Sequence, residues 1–165
     1  ILMLIFEYTN PETIANMNFK DKLLNSFFAS VSPRTAGFNS VSTSGMTLAS
    51  KFLTVILMFI GGSPGSTAGG LKTVTFGILV LTVISVIKGR EDAEGFGRRF
   101  TKEAVYKAFT LLFIGASLVI FATMILSYTE VGASFIDLLY ETTSAFGTVG
   151  ITLGLTPTLS SIGKV

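Results

Sequence analysis

The chain of 165 residues is 49% hydrophobic and 13% charged, with a mean hydropathy of +0.68, a balance that belongs to membrane proteins rather than soluble ones. It has no cysteine and no histidine, which excludes disulfide frameworks, thiol catalysis, cysteine–zinc sites and histidine-based acid–base or metal chemistry. A net charge of +2 offers no general grip on nucleic acid, and none is expected as a partner.

Residues 1–8 read as the tail of a membrane helix. The chain begins inside an apolar run without an initiator methionine and ends at Val165 as another segment could begin. It therefore reads as an internal piece of a longer chain, and no signal peptide is visible. Residues 9–22 are polar, contain Pro11, and read as a loop. Residues 23–31 (LLNSFFASV) are apolar but too short to span, which suits a re-entrant helix. Ser32-Pro33-Arg34 ends it, Thr35-Ala36-Gly37-Phe38-Asn39 follows, and residues 40–50 form a Ser/Thr/Gly-rich return.

The apolar region 48–87 is about twice the ~20 residues that a simple span needs. Its middle, Gly61-Gly62-Ser63-Pro64-Gly65-Ser66-Thr67-Ala68-Gly69-Gly70, cannot continue a helix. The flanks 51–60 and 71–87 remain strongly apolar, so the reading is a broken helix with an insert at membrane depth. Residues 88–107 (KGREDAEGFGRRFTKEAVYK) carry six of the 12 Lys and Arg. The positive-inside bias makes them cytoplasmic and turns both flanking motifs outward. Residues 104–128 read as a clean span, 130–133 as a tight outer loop and 134–146 as a second short helix. Gly147-Thr148-Val149-Gly150-Ile151-Thr152 follows, and 153–161 return as 40–50 did.

The order helix, short helix, Thr-X-Gly loop, helix thus occurs twice, and internal repetition is a habit of transport proteins. In each loop the glycine reaches backbone conformations that other residues avoid. Successive carbonyls can then point to one side and replace an ion's water shell. A single Thr-X-Gly is an ordinary turn; two in the same context point to an ion filter.

Residues 65–73 approach a phosphate-binding loop, but Leu71 intervenes before Lys72 and the flanks are helical rather than a strand. Small residues that let helices pack closely are the plainer alternative. Glycine crowding with Pro64 argues for unwound backbone, tolerable at membrane depth only when buried in protein or lining water. Lys72 would be costly there in isolation, so it is expected to face the pore or tether the insert rather than snorkel. Arg34, beside the first motif, is expected either to brace the loop with Glu141 or Asp137, or to lie exposed at the outer mouth.

These three motifs, in this order, resemble the Trk/Ktr/HKT superfamily of potassium transporters, closest to its Ktr branch. The resemblance covers nearly the whole chain and implies an all-α integral membrane protein of the cell membrane. Its fold would be four membrane–pore–membrane repeats around a fourfold pseudo-symmetric pore. Residues 1–87 would be the third repeat (end of the first helix, pore helix, filter, broken second helix), 88–102 a cytoplasmic loop, and 103–165 the fourth repeat up to the start of its second helix. It implies an ion selectivity filter at Thr35, Ala36, Gly37 and Phe38 and at Thr148, Val149, Gly150 and Ile151, holding potassium through backbone carbonyls. The insert Gly61–Gly70 with Lys72 would be the gate below it. Phe38-Asn39 and Ile151-Thr152 differ, and a ring of unlike loops is less strictly selective.

The expected function is potassium uptake without cofactor or covalent chemistry, so the chain is not read as an enzyme. The alternatives are a sodium-permeable or sodium-coupled transporter of the same superfamily, with Na+ as coupling ion, and a non-conducting membrane assembly subunit. The resemblance implies a homodimer in membrane lipid with a cytoplasmic nucleotide-binding regulatory ring. The mixed charges of 88–107 (Glu91, Asp92, Glu94 and Glu103 among the bases) fit either a solvated loop or a docking site for that ring.

Overall fold

The computed structural model describes all residues except Glu91, Phe96, Gly97, Val131, Ser161, Ile162, Lys164 and Val165. The expectations for Glu91, for the middle of the 130–133 loop and for the chain's last residues lie partly or wholly outside the described residues. In chain order the helices are α1 (Leu2–Glu7), α2 (Phe19–Val31), α3 (Leu48–Phe59), α4 (Thr73–Ile87), α5 (Lys102–Thr129) and α6 (Phe135–Phe146). A two-stranded antiparallel hairpin, β1 (Glu94–Gly95) and β2 (Arg98–Arg99), lies between α4 and α5. One short 3-10 turn, Thr156–Thr158, follows α6.

The first short helix starts earlier than its apolar run, at Phe19 rather than at residue 23. Asn18 precedes it in an extended conformation and Asp21 sits in its first turn, where the helix dipole favours an acid. Lys22 is itself a good helix former, and it can be buried because its ammonium finds partners. It donates to the Tyr8 carbonyl at 3.3 Å and lies 4.2 Å from the centre of the Tyr8 ring.

The long apolar region is broken as its glycines require. α3 opens on Thr47, whose hydroxyl accepts the Ser50 N–H, and ends at Phe59. α4 begins after Lys72. Between them the chain leaves and returns through one neck, where Leu71 N donates to Phe59 O at 2.9 Å and Thr73 N to Gly62 O at 3.2 Å.

The charged run is more ordered than a plain loop. Arg99 reaches both Asp92 and Glu94, Arg90 pairs with Glu94, and the Ser85 hydroxyl accepts the Glu94 N–H. Such exposed pairs are worth ~0–1 kcal/mol each, so the backbone pairing matters more than the charges. α5 is the one helix among the described residues long and apolar enough to cross a membrane.

Two clusters position the loops. Val55 and Met58 of α3 pack with Tyr140 of α6 and with Val149 and Ile151 beyond it. Leu71, Leu79 and Ala108 tie the neck and α4 to α5. Phe59 and Phe146 stack at 5.5 Å between ring centres, against Gly115 of α5, where a β-carbon would lie 3.0 Å from Phe146. α5 and α6 are also joined by a buried hydroxyl pair, Thr123 to Thr142 at 2.8 Å.

Candidate functional site: two Thr-X-Gly loops and the insert beside them

A helix ends with carbonyls that lack partners, and here the loop that follows supplies them. After α2, Ala36 N and Gly37 N both donate to the Ser32 carbonyl, at 3.0 and 3.3 Å. After α6, Thr148 N donates to Ala145 O at 3.1 Å and Val149 N to Ser144 O at 2.9 Å. A planar trans peptide carries its carbonyl opposite its N–H. With these N–H groups turned into the helix ends, the carbonyls of Thr35, Ala36, Gly147 and Thr148 face away from them. Phe38 N donates to Ser32 Oγ at 3.1 Å, which turns the Gly37 carbonyl outward too.

This arrangement demands an unusual backbone. Thr35 and Thr148 have φ of 67° and 52°, and they are the only non-glycine residues with positive φ among the described residues. Gly37 and Gly150 follow at 77° and 81°, with Ala36 and Val149 between them at negative φ. A β-branched residue in the left-handed region is strained by roughly 1–3 kcal/mol and persists only where its surroundings force it. The same strain at the same place in both loops marks one device used twice.

The two loops meet. A β-carbon on Gly37 would lie 2.6 Å from the Val149 carbonyl oxygen. The Thr43 hydroxyl, on the return from the first loop, donates to Thr152 O at 2.9 Å. Their surroundings differ: Ile151 is 3% exposed against α3, whereas Phe38 is 71% exposed. α3 follows the first loop and packs behind the second, so the second loop depends on a helix from the unit before it.

The insert reaches the second loop. Gly69 N donates to Thr148 Oγ1 at 2.9 Å, and a β-carbon on Gly69 would lie 2.8 Å from that oxygen and 2.9 Å from Gly147 O. Among the described residues Thr35 has no such visitor, and its hydroxyl donates to Arg34 O at 2.7 Å. Lys72 turns back into the insert, where its ammonium donates to Ser66 O at 2.9 Å and Ala68 O at 2.5 Å. Three donors on one side chain can hold a chain of carbonyls that no helix organises.

The bracing of the first loop by an Arg34 ion pair does not form. Arg34 is exposed, Asp137 pairs with Lys51 at 3.0 Å, and Glu141 is taken by the segment leaving the second loop. Glu141 accepts from the Thr152 hydroxyl, from Leu153 N at 2.9 Å and from the Thr156 hydroxyl at 2.6 Å. Three neutral donors satisfy that carboxylate without a cation, and α6 carries it to the side facing its own loop.

Sequence reasoning missed a second pair of carboxylates. Glu7, at the end of α1, accepts from Thr47 N at 2.9 Å and Thr47 Oγ1 at 2.8 Å, at the start of α3. Glu130, just after α5, accepts from Ser160 N at 3.0 Å and Ser160 Oγ at 2.6 Å. Each carboxylate ties the end of the helix before a short helix to the segment after its loop. The available signal was a lone glutamate closing each apolar run, visible only once the two units are laid side by side.

Comparison with known proteins agrees with this picture. The family described as Cation transport protein, TrkH, matches residues 1–165. The chain is 48% identical to the Potassium/sodium uptake protein NtpJ of Enterococcus hirae, covering 100% of this chain and 37% of that protein. It is 39% identical to the Ktr system potassium uptake protein B of Bacillus subtilis, covering 99% of this chain and 37% of that protein. The protein of the same name from Vibrio alginolyticus is 35% identical, with 99% and 36% covered. This chain thus spans a little over a third of the length of these curated relatives. A match along the whole chain, joined to two loops of one strained geometry, makes this chain a member of the membrane-integral TrkH family of cation transport proteins.

Proposed function

We propose that this chain supplies two of four pore repeats in a potassium uptake protein. Residues 1–87 would form the third repeat, 88–102 a cytoplasmic connection and 103–165 the fourth. The carbonyls of the loops Thr35–Phe38 and Thr148–Ile151 hold a dehydrated potassium ion, and residues 61–70 with Lys72 gate its path. Transport proceeds without cofactor or covalent chemistry. The observation that carries this reading is the paired left-handed threonine and glycine, with loop N–H groups turned into the helix ends and carbonyls turned away. Potassium and sodium uptake by the complete protein in vesicles tests it. Saturable potassium uptake, poorly displaced by sodium, is expected; absence of cation flux from correctly inserted protein overturns it.

A sodium-permeable variant of the same mechanism is the second reading. It is favoured by the 48% identity to a relative named for both ions and by the unlike residues Phe38 and Ile151. Equal competition by the two ions would select it. The assembly is proposed as a homodimer in membrane lipid with a cytoplasmic nucleotide-binding ring. Nucleotide would then alter flux only when that second subunit is present.

A further inference from the structure

In each loop the fourth carbonyl is engaged by a buried serine at the end of the short helix before it. Ser32 Oγ donates to the Phe38 carbonyl, and Ser144 Oγ donates to the Ile151 carbonyl at 2.6 Å. Both serines are buried, at 3% and 4% exposure, in the last turn of α2 or α6 or just beyond it. The same two residues accept at their main-chain carbonyls from the start of the loop: Ala36 N and Gly37 N on Ser32, Val149 N on Ser144. Each serine therefore grips its loop at both ends, with its carbonyl at the beginning and its hydroxyl at the end. Ser32 stands three residues before Thr35 and Ser144 four before Thr148, so a fixed-register comparison of the loops does not pair them. Only the folded geometry does.

We infer that Ser32 and Ser144 are positioning residues that hold the Phe38 and Ile151 carbonyls against the short helices, out of the ion path. The inference rests on the filter reading above and narrows it. In the first loop the outward set becomes Thr35, Ala36 and Gly37. The fourth oxygen spends its strongest direction on a buried hydroxyl, and a carbonyl engaged from behind is a poor ligand in front. The serine also sets where the front carbonyls stop, and that spacing distinguishes ions of different radius. Loss of the hydroxyl frees the fourth carbonyl to swing forward and admits a smaller ion.

The test uses the full-length transporter in vesicles, carrying Ser32→Ala or Ser144→Ala, each beside its Ser→Thr counterpart and beside Gly37→Ser. The KM for potassium and for sodium is measured separately from maximal rate. The alanine variants are expected to lower potassium-over-sodium discrimination roughly fivefold, the ratio that ~1 kcal/mol represents, with maximal rate within about twofold of the parent. The threonine variants keep the hydroxyl and should restore discrimination. For a variant that inserts but transports poorly, the thermal shift produced by potassium against sodium reports the same discrimination. If Gly37→Ser loses discrimination while the alanine variants keep it, the filter stands and the serine role falls. Equal loss in alanine and threonine variants also overturns it, because the hydroxyl is then not the agent. If Gly37→Ser keeps discrimination as well, the filter reading falls and takes this one with it.

Discussion

The carbonyl oxygen of Val149 lies 2.6 Å from where a β-carbon on Gly37 would sit, so the two Thr-X-Gly loops are in direct backbone contact. Real β-carbons do not approach an oxygen that closely, and the φ of 77° at Gly37 penalises any side chain besides. Gly37→Ala should therefore displace both loops, not just its own. Discrimination between potassium and sodium is expected to fall roughly tenfold or more, equivalent to ~1.4 kcal/mol. The amount of inserted protein should stay near the parent's, because no helix contact changes. Competition uptake with quantified protein checks this, and unchanged affinities for both ions would falsify it.

Gly69 touches Thr148 through its N–H and leaves no room for a methyl group. Gly69→Ala should push the insert off the second loop and bias it toward an open position. Losing a hydrogen bond worth ~1 kcal/mol shifts a two-state gate by roughly fivefold, so basal flux should rise by about that factor. Deletion of residues 62–69 should raise it further while potassium KM changes little. A parent-like flux in both, with the proteins inserted, would show that this contact does not restrain the ion.

Lys72 holds the insert by two charge-assisted hydrogen bonds to Ser66 O and Ala68 O. Lys72→Met removes both and should loosen the insert by roughly 1.5–3 kcal/mol. Amide exchange within residues 63–69 is expected to accelerate, together with higher basal flux. Lys72→Arg should fall between the two. Faster flux without faster exchange would mean that the charge itself, rather than the tether, impedes the cation.

Lys51 and Asp137 meet at 3.0 Å, whereas Arg34 meets neither Asp137 nor Glu141. In double-mutant cycles read by thermal unfolding, Lys51→Met with Asp137→Asn should show coupling of about 0.5–3 kcal/mol. Arg34→Gln and Glu141→Gln should be additive. Glu141→Gln alone should destabilise by roughly 1–3 kcal/mol, since an amide nitrogen would face donors that now share a carboxylate. Strong coupling between Arg34 and Glu141 would show that the ion pair forms after all.

Much of the fold was legible before any coordinates. The helix break at 61–70 follows from the glycines and Pro64, which no long-range contact could make helical. α5 and α6 fall within two residues of their expected starts because apolar runs, Thr101 and Ser134 mark them locally. The early start of α2 was less plain, since FKDK reads as polar loop until Tyr8 supplies a partner for Lys22. The paired loops were visible as words, Thr-Ala-Gly and Thr-Val-Gly. Their meaning as geometry was not, because no local preference drives a threonine to positive φ.

The sequence by itself determined which segments are apolar, where helices must stop, and that one loop chemistry is written twice. These are properties of neighbours along the chain: hydrophobic runs, missing N–H groups and the freedom of glycine. Only the tertiary structure decided which groups face each other. It gave Asp137 to Lys51 rather than Arg34, set Gly69 on Thr148, placed Val149 against Gly37, and brought Glu7 to Thr47 and Glu130 to Ser160. Those pairings depend on how α3 and α5 each pack against α6 and how α1 packs against α3. A carboxylate or a hydroxyl has several chemically equal partners in a sequence, and burial leaves it only the one within reach.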